Sequence, residues 1–140
     1  MSTFPIYIPI NIWALLAATA ARMLVGSIWY SPVCFSNPWM RAVHCSPEEM
    51  KARMPKALPA DLLASFIMAF VLLHAVYYAG ASTALQGALV GFLAWLGFVA
   101  TIGVATTLYE KKTWLIFFIT GGFQLISLLL MGALLAAWPR

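Results

Sequence analysis

The sequence predicts an all-α integral membrane protein: a bundle of four transmembrane helices with both termini on the non-cytoplasmic side. Three observations predict this fold: the composition, four apolar stretches of spanning length and an uneven distribution of basic residues. Of the 140 residues, 64% are apolar and 9% are charged, whereas about a quarter of a soluble domain is charged. We therefore expect one multi-pass domain over residues 1–140, in the cell membrane, specifically a bacterial inner membrane.

Four apolar stretches are long enough to cross the hydrocarbon layer, which is roughly 30 Å thick and takes about 20 helical residues. The predicted spans cover residues 10–30, 61–78, 84–109 and 113–138. Tryptophan and tyrosine residues lie near the ends of these spans. Amphipathic rings settle there at the headgroup level, so the aromatic positions agree with the predicted boundaries.

Basic residues mark two of the three connections as cytoplasmic. The first and third connections contain Arg41, Lys51, Arg53, Lys56, Lys111 and Lys112. The second connection has none, and the tails offer only Arg140. Cytoplasmic loops collect Lys and Arg, so both termini are predicted to face away from the cytoplasm. The formal charge of +4 is thus interpreted as an orientation signal and a contact with anionic lipid, with no nucleic-acid partner.

The cytoplasmic connection, residues 31–60, is predicted to contain two short helices. Asn37-Pro38 and Ser46-Pro47 each place a side-chain acceptor before a proline at the first helical position, a helix-start pattern. The predicted helices run from about 38 to 44 and from about 47 to 54, and Pro55 ends the second. That helix can lie on the inner leaflet or pack on the ends of the spans.

Arg22 is the charged residue placed deepest in a predicted span. It lies eight residues before Tyr30, about 12 Å from the boundary by helical rise. A charge at that depth costs about 2.5 kcal/mol or more without a partner, so we expect Arg22 to face the bundle. Glu110 is the predicted partner and Asp61 the competing one. The pair can be structural, or it can serve binding or transport.

His74 and Gln124 complete the candidate intramembrane polar site, which is Arg22, His74, Gln124 and Glu110. His74 lies near the outer end of the second span, as a packing residue or a proton-relay group. Gln124 belongs to a polar stripe on the last span that either ties helices together or lines a hydrated path. No metal ligands with suitable spacing and no cofactor motif are present.

Gly87 and Gly91 form a GxxxG pair on the third span. Such pairs allow helices to approach closely, here either inside the bundle or between copies of the chain. The membrane serines have no histidine at a matching depth for a nucleophile and base. The sequence therefore predicts a protein that is not an enzyme.

Several aromatic and glycine motifs carry a family resemblance. They are Trp29-Tyr30-Ser31-Pro32, Trp39-Met40-Arg41, the run from Gly91 to Phe98 and the run from Leu129 to Ala133. With these motifs the chain resembles, over nearly its whole length, the small membrane proteins catalogued as domain of unknown function 1761. The resemblance implies the four-span architecture and no particular activity or site residues.

Two functions of different class follow. The first is a non-enzymatic membrane protein that acts by helix-mediated association, with itself or as a small subunit of a membrane assembly. The alternative is a small transporter or channel in which Arg22, Gln124 and His74 line a polar route. Convergence of these side chains on one hydrated cavity would favour the alternative.

Overall fold

The computed structural model describes residues 8–139, and Arg140 lies outside this range. Four helical segments are long and apolar enough to cross a membrane. They are α1 (Ile12–Trp29), α3 (Pro47–Tyr78), the third span (Ala84–Tyr109) and α6 (Trp114–Ala137). A short helix, α2 (Ser36–Ala42), lies between α1 and α3, and the described residues contain no strand. The chain is thus an all-helical, multi-pass membrane protein.

Three helices begin at a side-chain cap that satisfies their first free N–H groups. The Asn11 side chain accepts from the backbone of Trp13 and Ala14 at the start of α1. Ser46 and Thr83 do the same for α3 and the third span. Capping of this kind is worth about 1 kcal/mol per helix, so local sequence sets these starting points.

The structure corrects the prediction for residues 47–60. The predicted short helix and the second span are one continuous helix, α3, of 32 residues that runs through Pro55 and Pro59. Each proline removes a helical hydrogen bond, but the flanking Ala, Lys, Met and Leu residues are strong helix formers, so the helix continues. At 1.5 Å per residue α3 is about 48 Å long, more than the roughly 30 Å hydrocarbon layer.

The third span is regular except at its centre. A π-helical turn, Trp95–Ala100, separates α4 (Ala84–Ala94) from α5 (Thr101–Tyr109). The Trp95 indole N–H donates to the Gly121 carbonyl at 2.9 Å, and Trp29 donates in the same way to Ile119 at 2.9 Å. Both acceptors lie on α6, so indole hydrogen bonds tie α1 and the third span to this helix.

The core is formed where α1, α3 and α6 meet. It consists of small and aliphatic side chains that are almost fully buried: Ala14, Leu15, Ala18, Ala69, Leu72, Leu73, Val76, Met131 and Leu135. Many large apolar side chains on the other helix faces are exposed, among them Leu24, Ile67 and Phe98. In a membrane such side chains face acyl chains, so this exposure agrees with a lipid-embedded bundle.

Gly87 and Gly91 lie where α4 crosses α6. A Cβ built on Gly87 would overlap the Gly132 carbonyl, and one built on Gly91 would overlap the Leu128 carbonyl. The missing side chains therefore allow the two backbones to touch. The sequence left open whether this glycine pair packs inside the bundle or between copies of the chain. In the structure it packs inside the chain.

Candidate functional site

Arg22 is the centre of a polar cluster inside the bundle. Its Nη1 donates to Asp61 Oδ1 at 3.0 Å and to Ser65 Oγ at 2.6 Å. Its Nη2 donates to Gln124 Oε1 at 3.2 Å. The guanidinium also lies over the Phe123 ring, 4.9 Å from the centroid. One arginine of α1 thereby binds both α3 and α6, and its partners offset the cost of a charge at this depth.

Helix register explains why these partners converge. Asp61 and Ser65 are four residues apart on α3, so both face α1. Phe123 and Gln124 are neighbours on α6 and meet the guanidinium by its face and by its edge. The described residues offer no partner to Arg22 Nε, so this nitrogen is a free donor.

The predicted pairing of Arg22 with Glu110 is wrong. Glu110 binds Lys112 at 2.9 Å, and both side chains are about half exposed. The predicted second span begins at Asp61, and a carboxylate in the first turn of a helix interacts favourably with the free backbone N–H groups there. Because α3 begins at Pro47, Asp61 lies well inside the helix, and its carboxylate is free to bind Arg22.

His74 does not join the cluster. It lies nine residues beyond Ser65 on α3, about 13 Å away along the axis. Its Nδ1 is 2.7 Å from the Phe70 carbonyl, and its ring contacts Phe70 and Tyr78. Of the four predicted polar-site residues, the structure brings together Arg22 and Gln124; His74 and Glu110 lie elsewhere.

A cavity of about 610 Å³ opens beside the cluster, between α1, α2 and the first half of α3. We call it the Asp61 cavity. Four methionines, three aromatic residues and one carboxylate are prominent in its lining: Met23, Met40, Met50, Met54, Tyr30, Trp39, Phe123 and Asp61. Methionine and aromatic side chains make an adaptable, polarisable surface, suited to apolar ligands of irregular shape.

Asp61 is the one formally charged residue among the described residues that line this cavity. Its Oδ1 binds the buried Arg22, while the side chain as a whole is 48% exposed. The sequence did not predict this cavity, because Pro55 was expected to end a helix. With α3 continuous, Met50, Met54, Ala57, Leu58 and Asp61 fall on one helix face, a pattern that the sequence does contain.

A second cavity, of about 440 Å³, lies at the opposite end of the same three helices. We call it the Asn11 cavity. Asn11 and Ala14 of α1, Leu73 and Tyr77 of α3 and Leu135 of α6 line it. The described residues contain no cluster of three His, Cys, Asp or Glu side chains that could hold a metal ion.

Comparison with known proteins gives a family and no activity. A family model described as "Protein of unknown function (DUF1761)" matches residues 13–136. No curated protein and no solved structure matches the sequence.

Proposed function

The chain belongs to the family described as protein of unknown function DUF1761, and from its geometry we propose that it binds a small amphipathic cation within the membrane. One observation carries the proposal: the half-exposed carboxylate of Asp61 borders a cavity whose other prominent lining residues are methionines and aromatic rings. The binding site is the Asp61 cavity, and no reaction is involved.

Charge complementarity determines whether the ligand is a cation or an anion. Arg22 is 5% exposed and does not line the cavity, whereas Asp61 does. A ligand in the cavity therefore meets the carboxylate and not the guanidinium. Tyr30 and Trp39 add aromatic rings to the lining, and the faces of aromatic rings attract cations. A ligand with one cationic group shares the carboxylate with Arg22, which contacts Oδ1.

The other lining residues determine the size and polarity of the rest of the ligand. Met23, Met40, Met50 and Met54 surround the cavity from three helices, and their flexible thioethers adapt to different apolar shapes. The volume, about 610 Å³, lies within the usual range of small-molecule sites. The ligand is thus an apolar molecule with one cationic group.

The basic residues support an orientation for the site. Lys51, Arg53 and Lys56 lie on the part of α3 that precedes Asp61, at the end of the bundle where the Asp61 cavity opens. Because cytoplasmic segments collect Lys and Arg, we propose that this cavity faces the cytoplasm and that both termini lie outside. The membrane proposed is the bacterial inner membrane.

Helix-mediated association, the first hypothesis from the sequence, was based on Gly87 and Gly91. Both glycines pack against α6 of the same chain, so that face is not available to a second copy. Two of the predicted polar residues, Arg22 and Gln124, are in contact with each other beside the Asp61 cavity. Ligand binding is therefore the function that the geometry supports best.

Two probe ions of the same shape and opposite charge test the proposal. Tetraphenylphosphonium and tetraphenylborate are titrated separately into the purified protein in detergent micelles, with protein-free micelles as the blank. We expect saturable calorimetric binding of tetraphenylphosphonium and none of tetraphenylborate. Equal binding of the two ions would show that the cavity selects apolar bulk alone, and no binding of either would overturn the proposal.

A charge added inside the cavity gives a second test. Met54 lines the cavity and Ala52 does not, although both are exposed and lie on α3. Met54→Lys should weaken tetraphenylphosphonium binding by roughly tenfold or more, because two like charges then lie within a few ångströms. Ala52→Lys adds the same charge on the opposite helix face and should leave binding nearly unchanged. Equal effects would contradict the assignment of the site.

The cation can come from a lipid headgroup or from a free molecule. The titration is repeated with phosphatidylethanolamine added to the micelles, and again with phosphatidylglycerol. Competition by phosphatidylethanolamine alone identifies a lipid ammonium group as the natural occupant. An unchanged affinity with both lipids identifies a free organic cation, and competition by phosphatidylglycerol alone contradicts the proposed charge selection.

A further inference from the structure

We propose that the protein carries this cation across the membrane, along the interface of α1 and α3, between the Asp61 cavity and the Asn11 cavity. This inference rests on the proposed function, because it uses the same ligand and the same carboxylate. It adds a second access point, a barrier between the two cavities and a side-chain movement that couples binding to opening of the barrier.

The two cavities share their walls. Each is lined by residues of α1, α3 and α6, at opposite ends of these helices. On α3, Asp61 lines one cavity and Leu73 the other, about 18 Å apart by helical rise. On α6, Phe123 and Leu135 have the same spacing. The two openings lie on one three-helix interface, and buried core residues separate them.

The barrier between them is the buried core where α1, α3 and α6 meet. Ala18 and Ala69 are both 0% exposed and belong to the core cluster. Leu72 and Met131 close the remainder. On α1 the barrier extends from Arg22 to Ala14, about 12 Å by helical rise. Leu15 of α1 also lies here, so opening requires Leu15, Leu72 and Met131 to move, whereas Ala18 and Ala69 offer little bulk.

The Arg22–Asp61 ion pair holds this interface closed. A cation that enters the Asp61 cavity competes with Arg22 for the carboxylate, since both are positive and Asp61 is the shared partner. Arg22 then loses its charged link to α3 while Gln124 on α6 still holds Nη2. Ligand binding thereby weakens the contact of α1 with α3 and leaves α1 attached to α6.

A hydrogen-bond partner for the displaced guanidinium lies in the core between the cavities. Two buried side-chain atoms have no partner among the described residues: Arg22 Nε, a donor, and Ser127 Oγ, an acceptor. Ser127 is 0% exposed and lies three residues beyond Gln124, on the same side of α6. An arginine released by Asp61 can donate to this hydroxyl, which gives Ser127 a partner in the open state.

Proteoliposomes test the transport. Uptake of tritiated tetraphenylphosphonium down an imposed gradient is measured, and uptake by protein-free liposomes is subtracted. We expect saturable uptake by the native protein. Ser127→Ala should slow it roughly tenfold, the effect of one hydrogen bond to a charged group. Because the hydroxyl has no partner in the closed state, the variant should be at least as stable as the native chain.

Blocking the Asn11 cavity tests the route itself. In a background with Cys34 and Cys45 replaced by serine, a single cysteine at Ile10 is labelled with fluorescein maleimide. Ile10 lines this cavity and is 46% exposed. The label should abolish uptake and leave binding intact. The control is a labelled cysteine at Ser82, which is exposed in the connection after α3, at the same end of the bundle, and does not line the cavity.

The outcomes separate the two proposals. Binding without uptake above the protein-free level would overturn transport and leave the binding function intact. Uptake that persists with a labelled Ile10 cysteine would overturn the route, and unchanged uptake by Ser127→Ala would overturn the movement of Arg22. Absence of binding would overturn the proposed function together with this inference.

Discussion

Arg22 and Asp61 form an ion pair with very unequal burial: their atoms are 3.0 Å apart, yet the arginine side chain is 5% exposed and the aspartate 48%. The charge of Arg22 is therefore stabilised by its protein partners alone. The Asp61 side chain, in contrast, is half exposed and does not depend on Arg22 in the same way. The two residues should respond differently to substitution, and this difference gives the first prediction.

Asp61→Asn should destabilise the protein by about 2 kcal/mol, because it leaves a buried charge without its counter-charge. Arg22→Met should cost much less, since it keeps the apolar stem and leaves a carboxylate that is half exposed. In the Arg22→Met background, Asp61→Asn should cost almost nothing. The measurement is the free energy of unfolding in mixed micelles for the two single variants and the double variant.

Glu110 provides the control for this cycle. Glu110→Gln should have the same small effect in the native and Arg22→Met backgrounds, because Glu110 binds Lys112 in an exposed pair of little energetic weight. Additive losses for Arg22 and Asp61, or a coupling of Arg22 to Glu110, would contradict the structure.

Glycine substitutions on the third span should have opposite signs. Gly91→Ala places a Cβ against the Leu128 backbone and should cost about 1–3 kcal/mol by overpacking. Gly97→Ala places a Cβ where no atom lies within 4 Å, so it should be neutral or stabilising by up to about 1 kcal/mol. Thermal unfolding in detergent compares the two, and equal losses would mean that α4 does not pack closely on α6.

The orientation can be tested by labelling. Single cysteines at Ser82 and Lys112, in a background without Cys34 and Cys45, should react with a membrane-impermeant maleimide from opposite sides. The reason is that the third span, Ala84–Tyr109, lies between these two connections. The Lys112 cysteine is expected on the cytoplasmic side. Labelling of both from the same side would be incompatible with four spans.

Hydropathy was sufficient to predict four spanning helices, because predominantly apolar stretches of about twenty residues rarely occur outside transmembrane helices. Local caps such as Asn11 and Ser46 were also readable from the sequence. The continuity of α3 could not be predicted from the sequence. A proline ends a helix or only kinks it, depending on flanking residues and on tertiary packing, and the sequence around Pro55 permits both.

The partner of Arg22 could not be predicted for the same reason. Whether Asp61 caps a helix or projects from its middle depends on where α3 begins, fourteen residues earlier at Pro47. The Asp61 cavity depends in turn on how α2 and the long α3 lie against α1, which no local pattern encodes. The involvement of Arg22 and Gln124 was predicted, since buried polar groups in a membrane must find partners.

Methionine methyl resonances test the binding site most directly. Met23, Met40, Met50 and Met54 line the Asp61 cavity, whereas Met68 and Met131 lie in or against the core. In protein labelled with 13C at the methionine methyls, titration with tetraphenylphosphonium should shift the four cavity resonances through the ring currents of its phenyl groups. The Met68 resonance should stay in place. Shifts at Met68 or Met131 without shifts at the cavity methionines would contradict the account.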